Sequence, residues 1–194
     1  QMSQSPKLLV ATGNPGKLKE LAGLFADVPF DLVSLADVGI DEEVPETGET
    51  FEDNAILKAV GYAAMSGMWT VADDSGLEVD ALGGAPGVLS ARYAGEDATD
   101  AQRIALLLQN LENVTEDRRQ ARFRCVMALS RPDMPPELFQ GTCDGTIVKS
   151  PRGSRGFGYD PIFLFPELGR TMAELAEEEK SLVSHRGIAA RKAA

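Results

Sequence analysis

The apolar run Trp69-Thr70-Val71-Ala72 ends in Asp73-Asp74-Ser75-Gly76, and this ending restricts the fold more than any other stretch. Adjacent carboxylates repel, and burying them costs several kcal/mol unless a cation or donors compensate. At the carboxyl end of a strand, that compensation is often a hard metal ion or a reacting group. Asp, Ser and Gly also favour plain turns, so by itself the stretch fits a polar turn as well as a metal site. The difference rests on what other segments bring to the same place.

The chain of 194 residues suits one domain over residues 1–194, with room for two lobes and a sizeable core. Residues 1–6 read as a disordered lead-in without the pattern of a secretory signal. No apolar run approaches the roughly 18 residues that span a bilayer, so no membrane partner is expected. A formal net charge of −11 argues against nucleic acid or an anionic surface as partner. A small polyanion stays possible where cations gather locally or a divalent metal mediates. Cys125 and Cys143 form no CxxC pair and stand in strand-like surroundings; both read as reduced structural thiols, in keeping with a cytoplasmic location.

Hydrophobic spacing predicts strands at Lys7 to Ala11, Phe30 to Leu35, Trp69 to Ala72, Leu77 to Leu82 and Ala121 to Leu129. Shorter strands are expected at Leu138 to Thr142, Thr146 to Val148 and Tyr159 to Phe165. Helices are expected from Gly16 to Ala26 and from Thr50 to Gly67, the latter with Ala55, Ile56, Ala59, Val60, Ala63 and Ala64 on its apolar face. Thr99 and Gln102 form a capping box ahead of a helix with Ile104, Leu107, Leu108 and Leu111 on one face. Thr171 caps a further helix, and Ser181 to Lys192 reads as the last. Asp73 to Gly76 is expected to be a turn. The early part alternates strand and helix and the middle resembles a meander, so the class is α/β with a mixed sheet.

Four groups are candidates for chemistry. Thr12-Gly13-Asn14-Pro15-Gly16-Lys17 lies between a strand and a helix, which gathers backbone N–H groups and the positive helix end at one point. It is not a Walker A loop, and a plain strand-to-helix turn is the alternative; Lys17 favours phosphate. Glu46 stands in an acidic loop before a strong helix that carries Lys58, where a solvated loop and a snorkelling lysine are the plain readings. Phe157-Gly158-Tyr159-Asp160 sets an aromatic beside glycine, where a planar ligand can approach and a carboxylate can read donors on its edge. Lys180, His185 and Arg186 complete a late basic group, with His185 the single histidine.

The ordered set resembles the inosine/xanthosine triphosphate pyrophosphatases, the Ham1-like house-cleaning nucleotidases. The matching pieces are Thr12 to Lys17 with Glu20, Glu46-Thr47-Gly48, Phe51-Glu52-Asp53-Asn54-Ala55-Ile56-Leu57-Lys58-Ala59 and Ala72-Asp73-Asp74-Ser75-Gly76-Leu77. They continue with Gly83-Gly84-Ala85-Pro86-Gly87, Ser90-Ala91-Arg92-Tyr93, Phe157-Gly158-Tyr159-Asp160-Pro161, Glu179-Lys180-Ser181 and Ser184-His185-Arg186-Gly187. They keep family order over nearly the whole chain, although the tail after Arg186 is short beside typical members.

The resemblance implies a mixed twisted sheet flanked by helices, with two lobes around a central substrate cleft. It implies that Thr12, Gly13, Asn14, Pro15, Gly16 and Lys17 bind the triphosphate with help from Lys58. Glu46 and Asp74 hold Mg²⁺, Asp74 is also the proton acceptor, and Ser75 touches substrate. Phe157 stacks on the base within Phe157-Gly158-Tyr159-Asp160, while Asp160, Lys180, His185 and Arg186 surround its edge. The implied reaction converts ITP, dITP or XTP to the monophosphate and pyrophosphate, in a homodimer. A Maf-type pyrophosphatase and a non-enzymatic nucleotide sensor are the competing readings. The sensor has no need of Glu46 with Asp74.

Overall fold

The computed structural model describes residues 5–193. Of the expected lead-in, residues 1–4 lie outside the described residues, and the Pro6 carbonyl already accepts a 2.9 Å hydrogen bond from the Asp31 N–H. The helices are α1 (Pro15–Leu24), α2 (Phe51–Ser66), α3 (Asp100–Asn110), α4 (Glu177–Val183) and α5 (His185–Ala193). The strands are β1 (Lys7–Val10), β2 (Asp31–Ser34), β3 (Trp69–Val79), β4 (Gln120–Ser130), β5 (Glu137–Ile147), β6 (Phe163–Phe165) and β7 (Arg170–Thr171). Among the described residues they pair in the order β2-β1-β3-β4-β5-β6-β7. β1 runs parallel to β2 and β3, while β6 is antiparallel to β5 and β7, so the sheet is mixed as its sequence pattern predicts.

Two compact units share the chain. The first holds residues 1–74, 125–141 and 186–194; the second holds 75–124 and 142–185. Each has its own core. In the first, Leu8, Val10, Leu21, Phe25, Val71, Met127 and Ala189 pack together. In the second, Leu77, Leu107, Phe123, Ile162, Phe163 and Met172 do so.

Four local expectations change. The Asp73-Asp74-Ser75-Gly76 stretch is not a turn: β3 runs through it without a break. Asp73 and Asp74 are buried in this extended segment, with Lys17, Arg186 and Lys58 as their charged neighbours. On α2 the buried stripe is Phe51, Asn54, Ala55, Ala59 and Tyr62. Val60 is exposed, so the apolar face is rotated from the expected one and includes a polar residue. The last expected helix is two, because Ser184 takes an extended ψ of 153° between α4 and α5. Thr171 heads only a single 3₁₀ turn, Met172–Glu174.

Candidate functional site

In the first unit, the expected phosphate loop joins β1 to α1. Asn14 is the N-cap of α1, with Pro15 at the first helical position, where its missing N–H costs nothing. The Asn14 Oδ1 accepts from the Gly16 N–H at 2.9 Å and the Lys17 N–H at 3.2 Å, and Thr12 Oγ1 accepts from the Asn14 N–H at 3.1 Å. The Gly16 and Lys17 donors are therefore already capped by a side chain. An anion taking those two donors would have to displace the Asn14 carbonyl.

Successive residues of a strand point to opposite faces, and β3 separates its two carboxylates accordingly. Asp73 is 2 % exposed. Its Oδ2 lies 3.6 Å from Lys17 Nζ and 3.4 Å from Arg186 Nε, and accepts a weak hydrogen bond from the Cys125 thiol at 3.8 Å. Burial alone would raise the Asp73 pKa, but Lys17, Arg186 and Lys58 outweigh it and hold the group well below the usual carboxylate range. Asp73 is thus a permanent anion.

Asp74 has a different environment. Burial pushes its pKa up to about 6; Lys58 opposes the rise and the Glu46 carboxylate adds to it. Lys58 Nζ stands 3.9 Å from Asp74 Oδ1 and 3.0 Å from Glu46 Oε1, and donates to the Asp73 carbonyl at 2.5 Å. Burial works against the Lys58 charge, yet Asp73, Glu46 and Asp74 together raise its pKa. The neighbour that raises Asp74 is Glu46, not the adjacent Asp73. Asn54 also favours the charged Asp74, although the Asn54 Nδ2 reaches no hydrogen-bonding geometry.

Glu46 is held by its loop. The Val44 N–H donates to Tyr62 Oη at 3.2 Å, and the Gly48 N–H donates to Asn54 Oδ1 at 2.8 Å. Both anchors are on α2, one on each side of Glu46. Gly48 must lack a side chain, because a Cβ there would come within 2.5 Å of Asp53 Cβ.

These residues suit a hard cation in one specific way. Asp74 Oδ2 is buried and has no hydrogen-bond partner among the described residues. No group of three or more histidine, cysteine or acidic side chains among them is arranged as a metal cage. Two carboxylates with one unsatisfied oxygen match Mg²⁺, which is usually held by one or two carboxylates plus water and substrate phosphates. They do not match a structural zinc site.

The second unit holds the expected base-reading group. Asp160 is buried, and its Oδ2 accepts from Lys180 Nζ at 2.7 Å and from the Phe157 N–H at 3.2 Å. Lys180 Nζ also lies 4.9 Å from the centre of the Phe157 ring, a cation–π distance. Gly156, at φ 71°, permits this arrangement: a Cβ there would meet Asp160 Oδ2 at 2.1 Å. The Gly158 N–H donates to Asp100 Oδ2 at 3.0 Å. Tyr159 is buried and gives its hydroxyl proton to the Ser90 carbonyl at 2.7 Å, so it supports the loop.

Of the late basic group, Lys180 and His185 belong to the second unit and Arg186 to the first. Lys180 joins Asp160 and Phe157. The His185 ring stacks on Phe123 at 4.7 Å, with Cys143 Sγ 4.0 Å from Nδ1. Arg186 belongs to the first unit, with Nη1 2.7 Å from Glu20 Oε2 in addition to its Asp73 contact. A guanidinium 3 % exposed needs carboxylate partners, and Glu20 and Asp73 supply them. Ser75 follows Asp74 on β3, half-buried.

Glu20, Asn54 and Cys125 have no role that spacing alone reveals. For Asn54 there is one signal, a polar residue inside the buried stripe of an amphipathic helix.

The chain is similar to known proteins over most of its length. The model of the Ham1 family matches residues 8–194. A dITP/XTP pyrophosphatase of Shigella flexneri is 53% identical over 183 residues, covering 93% of this chain and 92% of that protein. One of Geobacillus kaustophilus is 52% identical over 180 residues, covering 93% and 88%. The structure of a HAM1 protein from Coxiella burnetii matches with a TM-score of 0.87 and 43% identity, over 97% of this chain and 96% of that one. On the extent of the family match and of these identities, the chain belongs to the Ham1 family.

Proposed function

We propose that the chain is a nucleoside-triphosphate pyrophosphatase, a hydrolase that cleaves non-canonical purine nucleotides between the α- and β-phosphates. ITP, dITP and XTP are the substrates in this reading, and a nucleoside monophosphate and pyrophosphate are the products. The observation that carries it is the buried, unpartnered Asp74 Oδ2 beside Glu46 and Lys58, in a chain about half identical to dITP/XTP pyrophosphatases. Mg²⁺, held by Glu46 and Asp74, would neutralise charge developing on the pyrophosphate.

The chain's own groups supply the rest. Asp74 takes the proton from the attacking water as the water oxygen bonds to phosphorus and the bridging P–O bond breaks. A carboxylate in that position is within the class of side chains that serve as general bases. Lys17 and Lys58 offset charge on the phosphates, with Thr12, Gly13, Asn14, Pro15 and Gly16 shaping the loop around them and Ser75 touching substrate. Asp73 keeps Lys17 oriented. Arg186, tied to the same carboxylate, acts here as its partner.

Base selection falls to Phe157, Gly158, Asp160 and Lys180, with Tyr159 and His185 as support. A keto purine presents an acceptor at position 6 and an N–H beside it, whereas adenine presents the reverse. The Lys180 donor and Asp160 acceptor complement the keto pattern. Guanine shares that pattern and adds a 2-amino group, which the site leaves crowded or unpaired at a cost of roughly 1–3 kcal/mol. A cytoplasmic homodimer completes the reading. Among the described residues no helix is long and apolar enough to cross a membrane.

Pyrophosphate release measured over ITP, dITP, XTP, GTP and ATP, with and without Mg²⁺, tests the whole proposal. Turnover should need Mg²⁺, favour the deaminated purines and disappear in Asp74→Asn. GTP hydrolysis as fast as ITP hydrolysis defeats the selectivity account; an active Asp74→Asn enzyme defeats the assignment of Asp74.

A further inference from the structure

Asn54 is completely buried on α2, in the first unit, and only half of its amide is used. Its Oδ1 accepts from the Gly48 N–H at 2.8 Å, while its Nδ2 has no hydrogen-bond partner among the described residues. A second unpartnered buried atom in this unit is Asp74 Oδ2, and Lys58, one helical turn beyond Asn54 on α2, holds its Nζ 3.9 Å from Asp74 Oδ1. A buried donor and a buried acceptor left unpaired each keep their desolvation cost without a compensating bond. Such groups persist where a ligand or an ordered water completes the network.

The same side chain controls the Glu46 loop. The loop touches α2 at two points flanking Glu46, through Val44 on Tyr62 and through Gly48 on Asn54. Val44 also lies over Gly61, where any Cβ would come within 2.7 Å of it. The Tyr62 anchor precedes Glu46 and the Asn54 anchor follows it, so losing the second frees the loop on the side leading into α2. Asp74, meanwhile, comes from β3.

We propose that Asn54 is the positioning residue of the cation site. Its carbonyl fixes the loop that carries Glu46, and its amide N–H orients the Asp74 carboxylate when the site is filled. The two carboxylates come from separate segments, and a single amide sets the position of each. This rests on the proposed reading of Glu46 and Asp74 as metal ligands and goes beyond it by naming what aligns them. Outer partners of this kind typically change metal affinity or activity 10- to 100-fold when removed.

The test uses nucleotide-free protein and Mn²⁺ alone, with free Mn²⁺ followed by electron paramagnetic resonance. Asn54→Ala should weaken Mn²⁺ binding about 10- to 100-fold. Gly48→Ala, whose Cβ would meet Asn54 Oδ1 at 2.8 Å, should weaken it as well. The double variant should be no weaker than Asn54→Ala, because both changes break one tether. With ITP and excess Mg²⁺, kcat should fall about tenfold or more while KM stays within about threefold.

A folded Asn54→Ala protein that binds Mn²⁺ within about threefold of the parent overturns the proposal and leaves Asn54 a packing residue. Should Asn54→Ala not fold, Gly48→Ala decides by the same criterion. A parent protein that neither binds Mn²⁺ nor releases pyrophosphate overturns the underlying reading too. An active parent with an unaffected variant overturns this inference alone.

Discussion

The unequal environments of Asp73 and Asp74 predict an unusual dependence of stability on pH. Asp74 has a pKa of about 6 in the folded chain, against an ordinary aspartate value of 3.8. A carboxyl whose pKa is raised by folding stabilises the native state while it is protonated. That stability is fully present below pH about 4 and lost as the pH rises through about 6. The shift is about two units, so the whole span is worth about 3 kcal/mol at about 1.4 kcal/mol per unit. About 2 kcal/mol of it falls between pH 4.5 and 7. Asp73 does not interfere, since its pKa is lowered and its contribution is lost only as the pH falls below the ordinary carboxylate range. Asp74→Asn removes the titration and little volume. Urea unfolding of the two proteins in EDTA, at half-unit steps across this window, isolates the effect, because all other groups cancel in the difference. The stability of the variant relative to the parent should rise by about 2 kcal/mol from pH 4.5 to 7. A difference constant within about 0.5 kcal/mol would refute the claim that Asp74 is a buried, strained anion in the metal-free protein.

Two further substitutions probe the neighbouring contacts. Asp73→Asn leaves Lys17 and Arg186 without their shared anion. Removing one partner of a buried pair costs about 3–5 kcal/mol, so calorimetry should show the melting temperature lowered by on the order of 10 °C. Gly156→Ala drives a methyl group toward Asp160 Oδ2, 2.1 Å from the added Cβ, and requires an alanine at φ 71°. It should raise KM for ITP while Mn²⁺ affinity stays at the parent value, and equal losses of both would argue against a separate base-reading group.

The regular parts of the fold are legible because they follow periodicity and caps. Thr99 and Gln102 form their capping box, as their spacing predicts, and the helix expected from Thr50 has Thr50 as its N-cap. The β1 and β2 strands and their parallel pairing fit the apolar runs. The Asp73 to Gly76 segment is misread because turn propensity is a local quantity, whereas strand continuity here depends on paired neighbours. The α2 face is misread because Asn54 counts as polar in any periodic pattern and yet is fully buried. The ordered motifs single out candidate site residues, but not their partners. Arg186 is adjacent to His185 in sequence, yet it pairs with Glu20 and Asp73. Long-range ion pairing of that kind leaves no periodic trace.

The unbroken course of β3 makes the site depend on parity. Odd and even positions along a strand face opposite ways, so Asp73 and Asp74 are distinguished only by which count they fall on. That count is fixed several residues earlier, where Leu8, Leu9 and Val10 pair with Trp69, Thr70 and Val71. One residue inserted or lost between Val71 and Asp73 would exchange the permanent anion and the chargeable one while leaving the local motif intact. A hydrophobic pairing that touches no substrate therefore decides which carboxylate meets Glu46 and Lys58.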